Sequence, residues 1–205
     1  MDAYRSRRSE MRTGDLLLFS GRGLISRGIQ AITGSRWSHV AVVMEVPLYD
    51  FICCFESTTL SDIPDLTTGA RVKGVQLVPL SQRLETYNGD AVAWRQVDAR
   101  RTPAMIAAAL AVRREFAGRP YEENQIELLR SALDTVTLRQ NQPDASSVFC
   151  SELAGILWQR MGWMDHSIPP NELTPADFAG DALPHTASAR LGPLELLSEE
   201  SGDIL

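Results

Sequence analysis

The chain has 205 residues, enough for one well-buried core, and a formal net charge of −6. No basic excess exists to displace counterions from phosphates, so non-specific nucleic-acid binding is excluded as a function class. Apolar runs never reach the roughly 18 residues of a membrane span, and no apolar segment of a secretory signal follows the first residues.

The basic start (Arg5, Arg7, Arg8, Arg12) reads as a solvated tail over residues 1–11. Gly14-Asp15 opens a first strand, Leu16 to Phe19. Gly21 to Gly34 reads as a helix with Ile25, Ile29 and Ile32 on one face and Gly34 as its stop. Strands are predicted at His39–Met44, Phe51–Glu56, Val72–Val78 and Ala91–Val97. Thr102-Pro103 starts a helix that Gly118 ends, with threonine as the cap and proline at the first helical position. A second helix is expected over about Glu122 to Leu138, then a polar loop, then a helix from near Cys150 to Met161. Thr174-Pro175-Ala176-Asp177 has the form of a capping box on a short final helix. After about His185 the chain reads as a loose, acidic tail. Strands clustered early and helices mostly later imply an α+β fold, an antiparallel sheet of about five strands packed against helices in one domain over residues 12–184.

Three cysteines, two of them adjacent, make a poor disulfide framework, and the expected location is a reducing cytoplasm. Cys53 and Cys54 lie in Phe51-Ile52-Cys53-Cys54-Phe55 and read as small core hydrophobes. No metal-ligand spacing accompanies them, so neither a metal nor another cofactor is expected. Cys150, in Val148-Phe149-Cys150-Ser151-Glu152-Leu153, differs because it stands where a helix is predicted to begin. The unpaired amides of a first turn and the helix dipole favour a thiolate there.

A thiolate needs a base. Of the three histidines, His166 and His185 lie in proline-rich loops, whereas His39 opens an apolar strand. If His39–Met44 and Phe51–Glu56 form a hairpin closed by Glu45–Asp50, Met44 faces Phe51, Val42 faces Cys53 and His39 faces Glu56. Opposed residues share a face at about 5 Å between Cβ atoms, so a carboxylate would sit beside the imidazole. A register slip of one residue would send Glu56 to the other face. Cys150, His39 and Glu56 thus form a candidate Cys-His-acid constellation.

Gly14-Asp15-Leu16-Leu17-Leu18-Phe19, Trp37-Ser38-His39-Val40-Ala41-Val42-Val43, Phe55-Glu56-Ser57 and Phe149-Cys150-Ser151-Glu152-Leu153 occur in this order, with histidine before cysteine. Over roughly residues 12 to 180 the chain resembles the circularly permuted papain-like amidases of the NlpC superfamily, the branch containing YiiX and YaeF. The resemblance implies Cys150 as nucleophile, His39 as base and Glu56 as orienting residue. Gly118-Arg119-Pro120-Tyr121 resembles a Gly-x-Pro-Tyr element of NlpC-like enzymes, whose tyrosine lies near the site. The implied chemistry is acyl transfer from an amide, ester or thioester of a peptide or lipid-like substrate. The Cys150 amide would be one oxyanion donor and Ser38 or Tyr121 a second. Leu24, Ile25, Ile29 and Ile32 beside Trp37 form either a hydrophobic substrate pocket or ordinary core. Two other readings stay open: a lipid or protein acyltransferase or thioesterase, and a catalytically silent binding module. The Asn-Cys-Glu-His motif of lecithin:retinol-type acyltransferases is absent, Phe149-Cys150-Ser151-Glu152 standing in its place.

Overall fold

The computed structural model describes residues 1–46, 50–120 and 145–199, with side chains undescribed over 145–149. The expected helix over Glu122 to Leu138 and Tyr121 lie outside the described residues.

The architecture is α+β. Six antiparallel strands form one sheet, in the order β4-β3-β2-β1-β5-β6. The strands are β1 (Leu16–Ser20), β2 (His39–Val46), β3 (Phe51–Thr58), β4 (Gly74–Pro79), β5 (Ala91–Ala99) and β6 (Ala189–Glu199). Helices α1 (Asp2–Arg7), α2 (Leu24–Thr33), α3 (Leu80–Thr86), α4 (Pro103–Phe116), α5 (Ala145–Arg160) and α6 (Pro175–Ala179) join them.

Both sheet faces are covered, which explains why the central strands read as unbroken apolar runs rather than alternating ones. On one face Leu16, Leu18, Val40, Val42, Met44 and Phe55 pack with Ala109 and Val112 of α4, Leu157 and Trp158 of α5, and Phe178 of α6. On the other, Leu17, Phe19, Ala41, Val43, Cys54 and Trp94 pack with Tyr4, Met11, Leu80 and Leu84.

The local signals behave as the residue types dictate. The Thr102 hydroxyl accepts the Met105 amide proton at 3.3 Å, and Pro103 takes the first helical position. Asp177 accepts the Thr174 backbone N–H at 2.7 Å, completing the capping box of α6. Gly34 closes α2 in the left-handed conformation, at φ 62°. Gly14 is held at φ +95°, and a Cβ there would meet the Trp163 ring at 2.3 Å.

Three segments differ from expectation. The N-terminal stretch is not a free tail: α1 buries Tyr4, Met11 joins the core, and Arg7 pairs with Glu195 of β6 at 2.7 Å. The C-terminal stretch is not loose either, because Ala189–Glu199 forms β6 against β5. Its strand pattern is interrupted by Gly192-Pro193, and the ladder absorbs them in a bulge between Arg95 and Val97 at an edge strand, where proline is tolerated. Helix α3 was unforeseen because it has only seven residues and no side-chain cap, with Pro79 at its N-cap.

Candidate functional site

The hairpin of β2 and β3 is tighter than expected. Val46 pairs with Phe51 and Met44 with Cys53, so the register lies two residues from the one expected. A shift of two preserves facing. Carried along β2, this register puts Ala41 opposite Glu56, making Glu56 a diagonal neighbour of His39. A histidine side chain spans that diagonal: His39 Nε2 lies 2.7 Å from Glu56 Oε2.

Glu56 is almost fully buried, so an unpaired charge would be costly there. Its second oxygen, Oε1, accepts from Nε of Arg83 on α3 at 2.8 Å, and Arg83 Nη1 donates to Asp62 Oδ1, also at 2.8 Å. Burial pushes the Cys54 thiol well above its ordinary range, and the charge of Glu56 on the same strand adds to that shift. Burial alone would raise the Glu56 carboxyl; the Arg83 guanidinium and His39 outweigh it and hold the group below the usual carboxylate range.

The thiol group of Cys150 hydrogen-bonds the His39 ring. Since Nε2 is bound to Glu56, Nδ1 is the nitrogen left for the sulfur. Burial disfavours a charged imidazole, but Cys150 and Glu56 more than offset this and raise His39 to about 10. The Phe19 ring packs against the imidazole at 5.3 Å between centroids, and Tyr87 packs edge-on against Phe19 at 5.0 Å. Cys150 belongs to the core cluster of the α4–α5 face, and His39 meets it at the first residue of β2.

One expectation about Cys150 is corrected. Helix α5 begins at Ala145, so Cys150 is its sixth residue rather than its first. Nothing between Ala145 and Cys150 is a glycine or proline that would stop the helix. Only the first four amides of a helix lack an internal partner, so the Cys150 N–H belongs to the helical ladder and is not a free oxyanion donor here.

The other expected residues separate. The Ser38 hydroxyl is buried and engaged: it accepts from the Gly21 amide at 3.0 Å and donates to the Phe19 carbonyl at 3.4 Å, tying β2 to the end of β1. Trp37 is packed in the core of the α4–α5 face, with the Arg36 guanidinium 5.2 Å from its ring centroid. A cleft of about 1010 Å³ opens beside His39, lined by Leu24, Ile25, Ile29 and Leu60 as well as by Ser38, Thr58, Asp62 and Tyr87. Leu24, Ile25 and Ile29 line the cleft, while Ile32 is 69% exposed on α2.

Arg83 and Asp62 were not anticipated. A faint signal exists in Leu80-Ser81-Gln82-Arg83-Leu84, where Leu80 and Leu84 mark a helix face and Arg83 sits on it.

No family model matches the chain, and no curated protein does. Among solved structures it is similar to one described as metalloprotein yiiX from Escherichia coli O157:H7. The identity is 17%, the TM-score 0.50, and the match covers 93% of this chain and 98% of that one. At that identity the likeness is one of fold. Among the described residues, no group of three or more His, Cys, Asp or Glu side chains is placed to hold a metal ion. Nor is any described helix long and apolar enough to cross a membrane.

Proposed function

We propose that this chain is a cysteine-dependent acyl-transfer enzyme, a hydrolase or amidase of the permuted papain-like, NlpC-related kind, working in the cytoplasm on an amide, ester or thioester. The observation that carries the reading is the linked set Cys150–His39–Glu56, in which one carboxylate oxygen is 2.7 Å from Nε2 while the ring's other nitrogen is left to the thiol. A cleft lies beside the imidazole to receive a substrate.

In the mechanism, the Cys150 proton is held on His39 Nδ1 as a thiolate–imidazolium pair, and the sulfur of that pair attacks the carbonyl carbon. Glu56 fixes the ring's orientation and favours its cationic form, for which the raised His39 affinity for protons is suited. His39 then returns the proton to the departing nitrogen, oxygen or sulfur, leaving an acyl group on Cys150. Water, deprotonated by His39, attacks that thioester and releases the acid. The apolar wall of Leu24, Ile25, Ile29 and Leu60 favours a second reading on the same residues, a thioesterase or acyltransferase whose substrate carries a hydrocarbon chain.

The test is alkylation by iodoacetamide, followed peptide by peptide. Cys150 is expected to react far faster than Cys53 and Cys54, and His39→Ala is expected to remove the advantage. Equal rates for Cys150 in the folded chain and for Cys53 and Cys54 in the unfolded one would leave a silent binding module as the better account. Hydrolysis of p-nitrophenyl acetate against the decanoate separates the two enzymatic readings, since only a hydrocarbon-binding cleft prefers the longer acyl chain.

A further inference from the structure

Two arginines are buried among the described residues, and they are used differently. Arg95 spends its donors mainly on backbone: the carbonyls of Gly192, Phe178 and Gly180, plus the Asp181 carboxylate. That is how a guanidinium ties loops together. Arg83, with no exposed surface, spends Nε and Nη1 on two carboxylates, while its buried Nη2 has no hydrogen-bond partner among the described residues. A buried guanidinium serving only to hold the fold would be expected to satisfy that nitrogen as well. The carboxylate it holds is the one behind His39. Glu56 is therefore pinned at both oxygens, Oε1 by Arg83 and Oε2 by His39, and cannot rotate without breaking one bond. Asp62 steadies the guanidinium from the other side and lines the cleft.

We propose that Arg83 is a positioning residue for the Cys150–His39 pair, acting through Glu56, with Asp62 fixing its guanidinium from the cleft. The proposal rests on the reading of Cys150 as nucleophile. Arg83 keeps a buried carboxylate charged and aimed at Nε2, and that carboxylate in turn keeps His39 cationic and aimed at the sulfur. The charged and titratable groups facing Glu56 come from every packed element: His39 on β2, Cys54 on β3, Arg83 on α3, Tyr87 just after α3, Asp62 between β3 and β4, and Cys150 on α5 through His39. Of these Arg83 is the cation that does not titrate in the working range, so its removal acts on Glu56 in one direction. The carboxyl takes up a proton at higher pH.

The experiment measures the rate of Cys150 alkylation by iodoacetamide against pH in the whole chain, for wild type, Arg83→Met, Arg83→Lys, Glu56→Gln and the Arg83→Met/Glu56→Gln double variant. In Arg83→Met the acid limb is expected to move up by roughly one pH unit or more, the size of an arginine's effect on a neighbouring carboxylate. Arg83→Lys, which keeps the charge but not the fork, is expected to return part of that shift. A folded Arg83→Met whose limb stays in place, with or without a loss of amplitude, overturns the proposal. If Arg83→Met fails to fold, the double variant decides, since removing both buried charges is far milder than removing one. A double variant that matches Glu56→Gln at every pH supports action through Glu56. One that is tenfold slower, or that fails to fold where Glu56→Gln folds, overturns it. Failure of the underlying reading looks different: wild-type Cys150 would then react no faster than an ordinary thiol, whatever the variants do.

Discussion

Two buried carboxylates, each paired with an arginine, sit on the same sheet and have opposite characters. Asp15, just before β1, accepts from the Trp94 indole at 3.0 Å, the Val97 amide at 3.0 Å, the Arg12 amide at 3.0 Å and the Arg101 guanidinium at 2.7 Å. Glu56 accepts from Arg83 and His39. Burial raises the Asp15 carboxyl above its ordinary value despite all four donors, whereas Glu56 lies below its own. The physical difference is the charge of the partners. Three of the Asp15 donors are neutral, so they satisfy its lone pairs without fully repaying the loss of water, while Glu56 faces a buried guanidinium and a cationic imidazole. Neutral donors make a carboxylate a staple. Cationic partners, one of them leading to a thiol and a cleft, make it part of a site.

The largest test of that contrast is a crossed pair of isosteric substitutions. Glu56→Gln is expected to lower turnover of an activated ester by roughly 10³-fold, the scale of losing a properly oriented acid–base group, with the fold retained. Asp15→Asn is expected to leave turnover per folded molecule near wild type while costing about 3 kcal/mol in urea denaturation, because Arg101 loses its buried counter-charge. Swapped outcomes would mean that the two pairs have been assigned the wrong way round.

The pH dependence sharpens the same contrast. A lowered folded value means that Glu56 contributes stability above its unfolded value of 4.5, lost as pH falls through the folded value. Asp15, raised in the fold, contributes stability below its unfolded value of 3.8, lost as pH rises through the folded one. Acid denaturation midpoints should therefore fall less steeply with pH in Glu56→Gln than in wild type, and more steeply in Asp15→Asn. His39, raised from 6.5 to about 10, contributes stability that is complete below 6.5 and lost as pH rises through about 10. Turnover is expected to decline over that same upper range, as the imidazolium that protonates the leaving group disappears.

Smaller effects mark the edges of each region. Gly14→Ala meets both the positive φ and the Trp163 ring, and is expected to cost about 2 kcal/mol of stability without changing Cys150 alkylation per folded molecule. Ser38→Ala removes the bracket between Gly21 and the Phe19 carbonyl, and is expected to cost about 1 kcal/mol with less than a tenfold change in turnover. A hundredfold loss in turnover would instead restore Ser38 as an oxyanion donor.

The pairing of His39 with Glu56 was legible because strand parity survives a register error of two residues. The placement of Cys150 within its helix was not, because the residues ahead of it carry no stop signal and α5 starts five residues earlier than expected. Helix α3 and β6 escaped for local reasons: one lacks a side-chain cap, and the other is broken by Gly192-Pro193.

Residues close together along the chain set whatever depends on neighbours. The α+β class follows from the order of apolar runs, the caps from Thr102 and Thr174, and the shared face of His39 and Glu56 from the two-residue period of a strand. Packing sets whatever depends on distant segments meeting. It brings the thiol of α5 to the imidazole of β2, sets Arg83 of α3 behind Glu56, and turns the N- and C-terminal stretches into packed elements. Side-chain alternation and capping are local geometry, whereas an ion pair such as Arg83–Glu56 joins residues 27 positions apart, at a distance that only packing fixes.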